Sequence, residues 1–166
     1  MNRFILADAA KCIGCRTCEV ACVMAHQDAG SSAVSARTFT PRIRIIKGSY
    51  VSTAVACRHC EDAPCVGVCP TSALVMERDA VQIREANCIG CKSCMMACPF
   101  GAIDIVTAHS DVAAMKVVKC DLCQQRSAGP ACVAACPTGA LRCMDDRTLR
   151  RSGVEKRRRA AFCEFA

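Results

Sequence analysis

Tryptophan is absent from the 166 residues, tyrosine occurs once and phenylalanine five times. So few aromatic rings exclude a stacking platform for nucleic acid. They also leave little bulk from which to build a core. No apolar run reaches the roughly 18 residues of a membrane span. At the N-terminus, Asp8 and Lys11 interrupt the apolar stretch that begins at Phe4. The 7–15 apolar residues (roughly) of a secretory signal are therefore missing. Arg150-Arg151 stands far from the N-terminus, where a twin-arginine export signal would be. Glycine-rich dinucleotide and phosphate loops are missing too. The three histidines, His26, His59 and His109, are scattered, and no acid, base and nucleophile fall into a catalytic pattern. These absences predict a cytoplasmic protein with no nucleic-acid partner, no direct membrane insertion and no substrate chemistry of its own.

What the chain has is cysteine. Eighteen in 166 residues is roughly 11%, above the level that marks a cysteine-built scaffold. A reducing compartment disfavours structural disulfides, so the reading turns to metal. The formal charge of +7 fits that turn. A cubane iron–sulfur cluster on four thiolates carries about −2, and four would carry about −8. The basic excess then compensates buried negative charge.

Sixteen cysteines fall into four runs. The first is Cys12-Ile-Gly-Cys15-Arg-Thr-Cys18-x3-Cys22. The second is Cys57-Arg-His-Cys60-x4-Cys65-x3-Cys69-Pro70. The third is Cys88-Ile-Gly-Cys91-Lys-Ser-Cys94-x3-Cys98-Pro99, and the fourth is Cys120-Asp-Leu-Cys123-x8-Cys132-x3-Cys136-Pro137. The third matches the bacterial ferredoxin spacing without departure. Three cysteines two residues apart reach three irons at one corner of a cube, while glycine lets the backbone turn around it. The fourth is expected at the start of a short helix, pointing to the other cluster of a pair, with proline ending that helix. Structural zinc takes two pairs of ligands rather than triplets followed by Cys-Pro. His59, inside Cys57-x-x-Cys60, has two readings: a tuner of a cluster, or a partly exposed loop residue.

The runs repeat. Runs one and three share Cys-Ile-Gly-Cys-basic-hydroxyl-Cys. Runs two and four share Cys-Pro-Thr-x-Ala-Leu, at 69–74 and 136–141. The same alignment places Cys143 beside Met76 and Ile105, at an apolar strand position, so it is read as a core residue. Cys163, in the tail, has no partner at ligand spacing. Both are set aside as ligands.

Strands are expected at Asn2–Ala7, Arg42–Ile46, Val51–Val55, Ala102–Val106 and Ala140–Met144. A hairpin is expected from Leu74–Glu77 to Val81–Arg84 around Arg78-Asp79. Helices are expected at Arg16–His26 and over 146–162, with a connector at 27–40. The fold class is α+β. A two-cluster ferredoxin unit takes one half of each kind, so runs can pair one with two and three with four, or two and three can nest inside one and four. The intervals are 34 residues after Cys22, 18 after Cys69 and 21 after Cys98. They lean towards nesting without deciding it.

At these residues the chain resembles the four-cluster ferredoxin-like subunits that accompany molybdenum oxidoreductases and hydrogenases. It is most similar to the electron-transfer subunits of formate hydrogenlyase and cytoplasmic formate dehydrogenases. The resemblance rests on residues 1–8, on Lys11 to Cys22, on Cys60-Glu-Asp-Ala-Pro-Cys65, on Lys119-Cys-Asp-Leu-Cys123, on Gly129-Pro-Ala-Cys132 and on the basic ending Glu155–Arg159.

It implies two ferredoxin-like two-cluster modules, one nested inside the other. The outer module takes 1–36 plus 110–147, the inner one 43–108, and 148–166 is a basic C-terminal helix or tail. It implies four [4Fe–4S] clusters: one on Cys12, Cys15, Cys18 and Cys136; one on Cys120, Cys123, Cys132 and Cys22; one on Cys57, Cys60, Cys65 and Cys98; and one on Cys88, Cys91, Cys94 and Cys69. The function implied is a non-catalytic relay. It would run between a molybdenum or tungsten formate dehydrogenase catalytic subunit and a hydrogenase or another iron–sulfur subunit. A freely diffusing polyferredoxin and an accessory protein for enzyme maturation are the competing readings. The first run lacks the proline after Cys22, which leaves the end of its helix open.

Overall fold

The computed structural model describes residues 2–27, 34–36, 38–107 and 115–163. His109, much of the 27–40 connector and the module boundaries at 108 and 110 fall outside them. The described elements are β1 (Phe4–Ala7), α1 (Thr17–Ala25), β2 (Ile43–Lys47), β3 (Ser52–Ala56), α2 (Pro64–Gly67), β4 (Leu74–Glu77) and β5 (Ala80–Ile83). After them come α3 (Ser93–Ala97), β6 (Asp104–Thr107), β7 (Met115–Val118), α4 (Ala131–Ala134), β8 (Leu141–Met144) and α5 (Asp146–Ala161).

The strands form four two-stranded antiparallel ribbons. Three are local: β2 with β3, β4 with β5, and β6 with β7. The fourth joins the two ends of the chain, since β1 pairs with β8 in the register Phe4↔Met144 to Ala7↔Leu141. Alternation decides which faces turn inward. Ile43 and Ile45 are buried while Arg44 between them is exposed, and Ala54 and Ala56 face them from β3. The β4–β5 turn is Arg78-Asp79, both with positive φ (52° and 59°), the geometry that matches strand twist in two-residue hairpins. Its tip is tied to the N-terminal segment, because the amide of Arg3 donates to the Asp79 carbonyl at 2.8 Å.

The core is small-residue and sulfur-rich. One buried cluster gathers Ile5, Ile43, Ile45 and Leu141 around Cys18, Cys22, Cys57, Cys120 and Cys132. A second gathers Leu74, Val81, Ile103 and Val117 around Cys65 and Cys94. Cysteines stand where a larger protein would place aromatics. Helix α1 packs on α4, and α2 packs on α3.

Two expectations need correction. Cys98 does not begin a helix: it caps the C-terminal end of α3, and the helix carries the preceding Cys94. His59 is not partly exposed but fully buried. The missing proline after Cys22 has the simple effect that α1 runs on to Ala25. Strand β7 has no forerunner in the sequence reading. Helix α5 buries no residue. It is capped by Asp145, whose Oδ1 accepts from the Thr148 amide at 2.8 Å, and then carries a basic run into solvent. No described helix is long and apolar enough to cross a membrane.

Candidate metal centres

The repeat seen in the sequence is also a repeat of backbone. Gly14 and Gly90 have φ of 66° and 69°, and Arg16 and Lys92, which cap α1 and α3, have 64° and 66°. These left-handed residues wrap each loop so that its three cysteines turn to one side. At Gly14 a Cβ would stand 2.9 Å from Ser52 Oγ, so the loop also needs the missing side chain.

Each of these loops closes on a cysteine from elsewhere. Cys12, Cys15, Cys18 and Cys136 line one cavity, with Ile45, Ala54 and Leu141. Cys88, Cys91, Cys94 and Cys69 line another, with Leu74, Ile83 and Val117. Three cysteines of one run and the last of another thus share each space.

The remaining eight lie deeper. Cys22, Cys120, Cys123 and Cys132 are all buried, as are Cys57 and Cys65, whereas Cys60 and Cys98 are half-buried. The thiol of Cys132 is near enough to feel Cys22, Cys123 and Cys18, and that of Cys57 feels Cys98 and Cys60. Cys143 is half-buried against the first core cluster, and Cys163 is exposed.

Sulfur chemistry differs between these places. Thr17 Oγ1 donates to Cys15 Sγ at 3.3 Å and holds that thiol below its usual range, as the Ser93 hydroxyl does for Cys91. At Cys69 burial opposes ionisation, but amides from Leu74, Thr71 and Ala73 prevail and lower its pKa. Burial wins at most of the buried thiols: it pushes Cys132 up to about 12, Cys65 and the cavity-lining Cys18 up to about 11, and raises Cys120 and Cys94 too. At Cys123 burial is outweighed, chiefly by the His26 bond, and the pKa is lowered. The raised thiols stay protonated unless something positive binds them.

These residues fit a bound anionic cluster. Amide donors point at sulfur in several places: Arg42 to Cys22 at 3.3 Å, His59 to Cys57 at 3.4 Å, Ala73 to Cys69 at 3.2 Å and Ala102 to Cys98 at 3.5 Å. Donors to sulfur stabilise a charged cluster. The buried Nε2 of His59 has no hydrogen-bond partner among the described residues. Its other nitrogen, Nδ1, accepts from the Val81 amide at 3.0 Å, so the ring proton sits on the orphaned Nε2.

Spacing did not disclose the role of His26. It follows Cys22 by four residues, which puts both on one helix face, and this was the available signal. Its Nδ1 lies 2.7 Å from the Cys22 carbonyl and its Nε2 lies 3.0 Å from Asp121 Oδ1. Burial works against its charge, yet Asp121, Cys123 and Cys22 raise it to about 12. Asp121 also binds Arg42 at 2.6 Å and the Cys123 amide at 2.9 Å. Although burial opposes ionisation, the His26 bond and Arg42 hold its carboxyl well below the usual range. His26, Asp121 and Cys123 lie close enough to hold an ion. Both nitrogens of His26 are already committed to acceptors, so the trio is an ion-pair brace behind the Cys120–Cys123 loop.

Known proteins agree in kind. A 4Fe–4S dicluster domain matches residues 48–146, and a 4Fe–4S binding domain matches residues 9–25. The electron transport protein HydN of Escherichia coli (strain K12) is 52% identical over 98% of this chain and 99% of its own length. The putative electron transport protein YsaA of the same strain is 54% identical, over 91% of this chain and 95% of its own. Its hydrogenase-4 component A is 38% identical, over 97% and 91%.

Proposed function

We propose, because this chain belongs to the 4Fe–4S dicluster family of non-catalytic electron-transfer proteins, that it is a four-cluster relay inside a redox complex. The observation that carries the reading is the convergence of three cysteines from one run and one from another on each of two cavities. Bound 4Fe–4S clusters take up and pass on single electrons, which is the chemistry that side chains alone lack.

On this reading Cys12, Cys15, Cys18 and Cys136 hold one cluster at one end, and Cys69, Cys88, Cys91 and Cys94 hold one at the other. Cys22, Cys120, Cys123 and Cys132, and Cys57, Cys60, Cys65 and Cys98, hold the two in the middle. Residues 43–108 form an inner module within an outer one made of 1–36 and 110–147, and 148–166 form a basic tail. The pairing of β1 with β8 and the packing of α1 on α4 support that division.

The proposed donor and acceptor are a formate dehydrogenase catalytic subunit and a hydrogenase or another iron–sulfur subunit, in the cytoplasm. The similarity to a hydrogenase component supports the second of these. Metal analysis of the anaerobic protein tests the cluster count, with about sixteen irons and as much sulfide expected per chain. Gel filtration of the native complex tests the assignment as a subunit. Co-elution with formate dehydrogenase activity is expected; elution alone would favour a freely diffusing carrier.

A further inference from the structure

Lys119 is a charged residue buried where its sequence position gives no sign of it. It follows β7 and precedes Cys120, yet it is only 1% exposed. Its ammonium donates to two neutral carbonyls, those of Val81 and of Cys120, the latter at 2.7 Å. Among the described residues no carboxylate pairs with it. An unpaired buried ammonium is costly, so an anion within its reach is required.

Its surroundings say what that anion is. Lys119 adjoins both middle sites: it donates to the carbonyl of its neighbour Cys120, and through Val81 it reaches His59, whose amide donates to Cys57 Sγ at 3.4 Å. Val81 ties it to His59: the Val81 carbonyl accepts from Lys119, and its amide donates to His59 Nδ1 at 3.0 Å. The orphaned Nε2–H of His59 independently needs an acceptor in the same buried region. The basic groups near the end sites, Lys47 and Lys92, are exposed, and solvent screens them. Arg42 and His26 share the carboxylate of Asp121, which offsets one of their two charges.

We propose that Lys119 is the fixed counter-ion of the two middle clusters and raises their reduction potentials. A cation in a low-dielectric interior favours the state with one more electron. The inference rests on the four-cluster reading.

The test uses the full chain, reconstituted anaerobically, as wild type, Lys119→Arg, Lys119→Gln and Lys119→Met. Iron and sulfide are counted, and potentials are read by potentiometric electron paramagnetic resonance. The middle signals are assigned with Cys22→Ser and Cys60→Ser. A wild type far from sixteen irons would sink the four-cluster reading, whatever Lys119 does. With four clusters present, Lys119→Arg keeps the wild-type potentials. Lys119→Gln, which keeps a donor without the charge, and Lys119→Met move the two middle signals to lower potential and leave the end signals in place. Loss of the middle clusters alone from both neutral variants, with Lys119→Arg intact, supports the same role. The proposal fails if Lys119→Gln is loaded and unshifted, if all four signals move together, or if Lys119→Arg is damaged as much as Lys119→Met.

Discussion

Around the two cavities sulfur meets solvent. Cys15 and Cys91 are exposed, and the hydroxyls of Thr17 and Ser93 lower their pKa. Deeper in the fold lie Cys120 and Cys132, buried thiols pushed far upward, with the buried Lys119 next to Cys120. The same ligand type therefore works under two electrostatic regimes. The exposed sulfurs are stabilised by local hydrogen bonds and water, and on the proposed reading the buried ones depend on charge fixed in the fold.

The largest predicted contrast comes from cutting one ligand in each regime. Cys15→Ser leaves a folded chain with about twelve irons. Cys120→Ser takes a centre out of the main core cluster and lowers the melting temperature of the whole protein as well, by circular dichroism. Equal damage from the two would erase the distinction.

Cys22→Ser probes where the middle begins. Although it lies in the first run, its paramagnetic signature is expected to match that of Cys120→Ser, with the signal of the Cys12–Cys15–Cys18 site retained. Loss of that site instead would break the proposed sharing. A third contrast needs no substitution. Under chelator or air, iron leaves the exposed ends several-fold faster than the middle, in a time course that follows each paramagnetic signal; uniform loss would contradict it.

The smallest effect concerns the ion pairs. Asp121→Asn releases His26 and Arg42 and lowers stability by about 2 kcal/mol, the scale of a part-buried charged hydrogen bond. Arg44→Ala breaks only the exposed pair with Asp104, at 2.9 Å, and lowers the unfolding free energy by less than about 1 kcal/mol in denaturant titration.

Much of this was legible in the chain. Spacing singles out the eight cysteines that line the two cavities, and the Arg78-Asp79 hairpin follows from the alternation on either side of it. Met115–Val118 carries no strand signal, because Met-Lys-Val-Val shows no period; its pairing with β6 defines it. The pairing of β1 with β8 was illegible for another reason: no local signal links Ile5 to Cys143, which oppose each other from opposite ends of the chain. Burial of Lys119 and His59 was hidden because propensity assigns such residues to the surface. Only the tertiary structure, which sets both against Val81, shows otherwise.

That first-to-last strand pairing also has a consequence for synthesis. When β1 leaves the ribosome, its partner is still more than a hundred codons away. At about 5–20 residues per second the wait is roughly ten seconds. Cys12, Cys15 and Cys18 emerge early, but Cys136, which lines the same cavity, arrives near the end. Cys69, Cys88, Cys91 and Cys94 are complete well before translation finishes. Their pocket can thus be finished on the nascent chain, whereas the outer one closes only as the last strand is delivered.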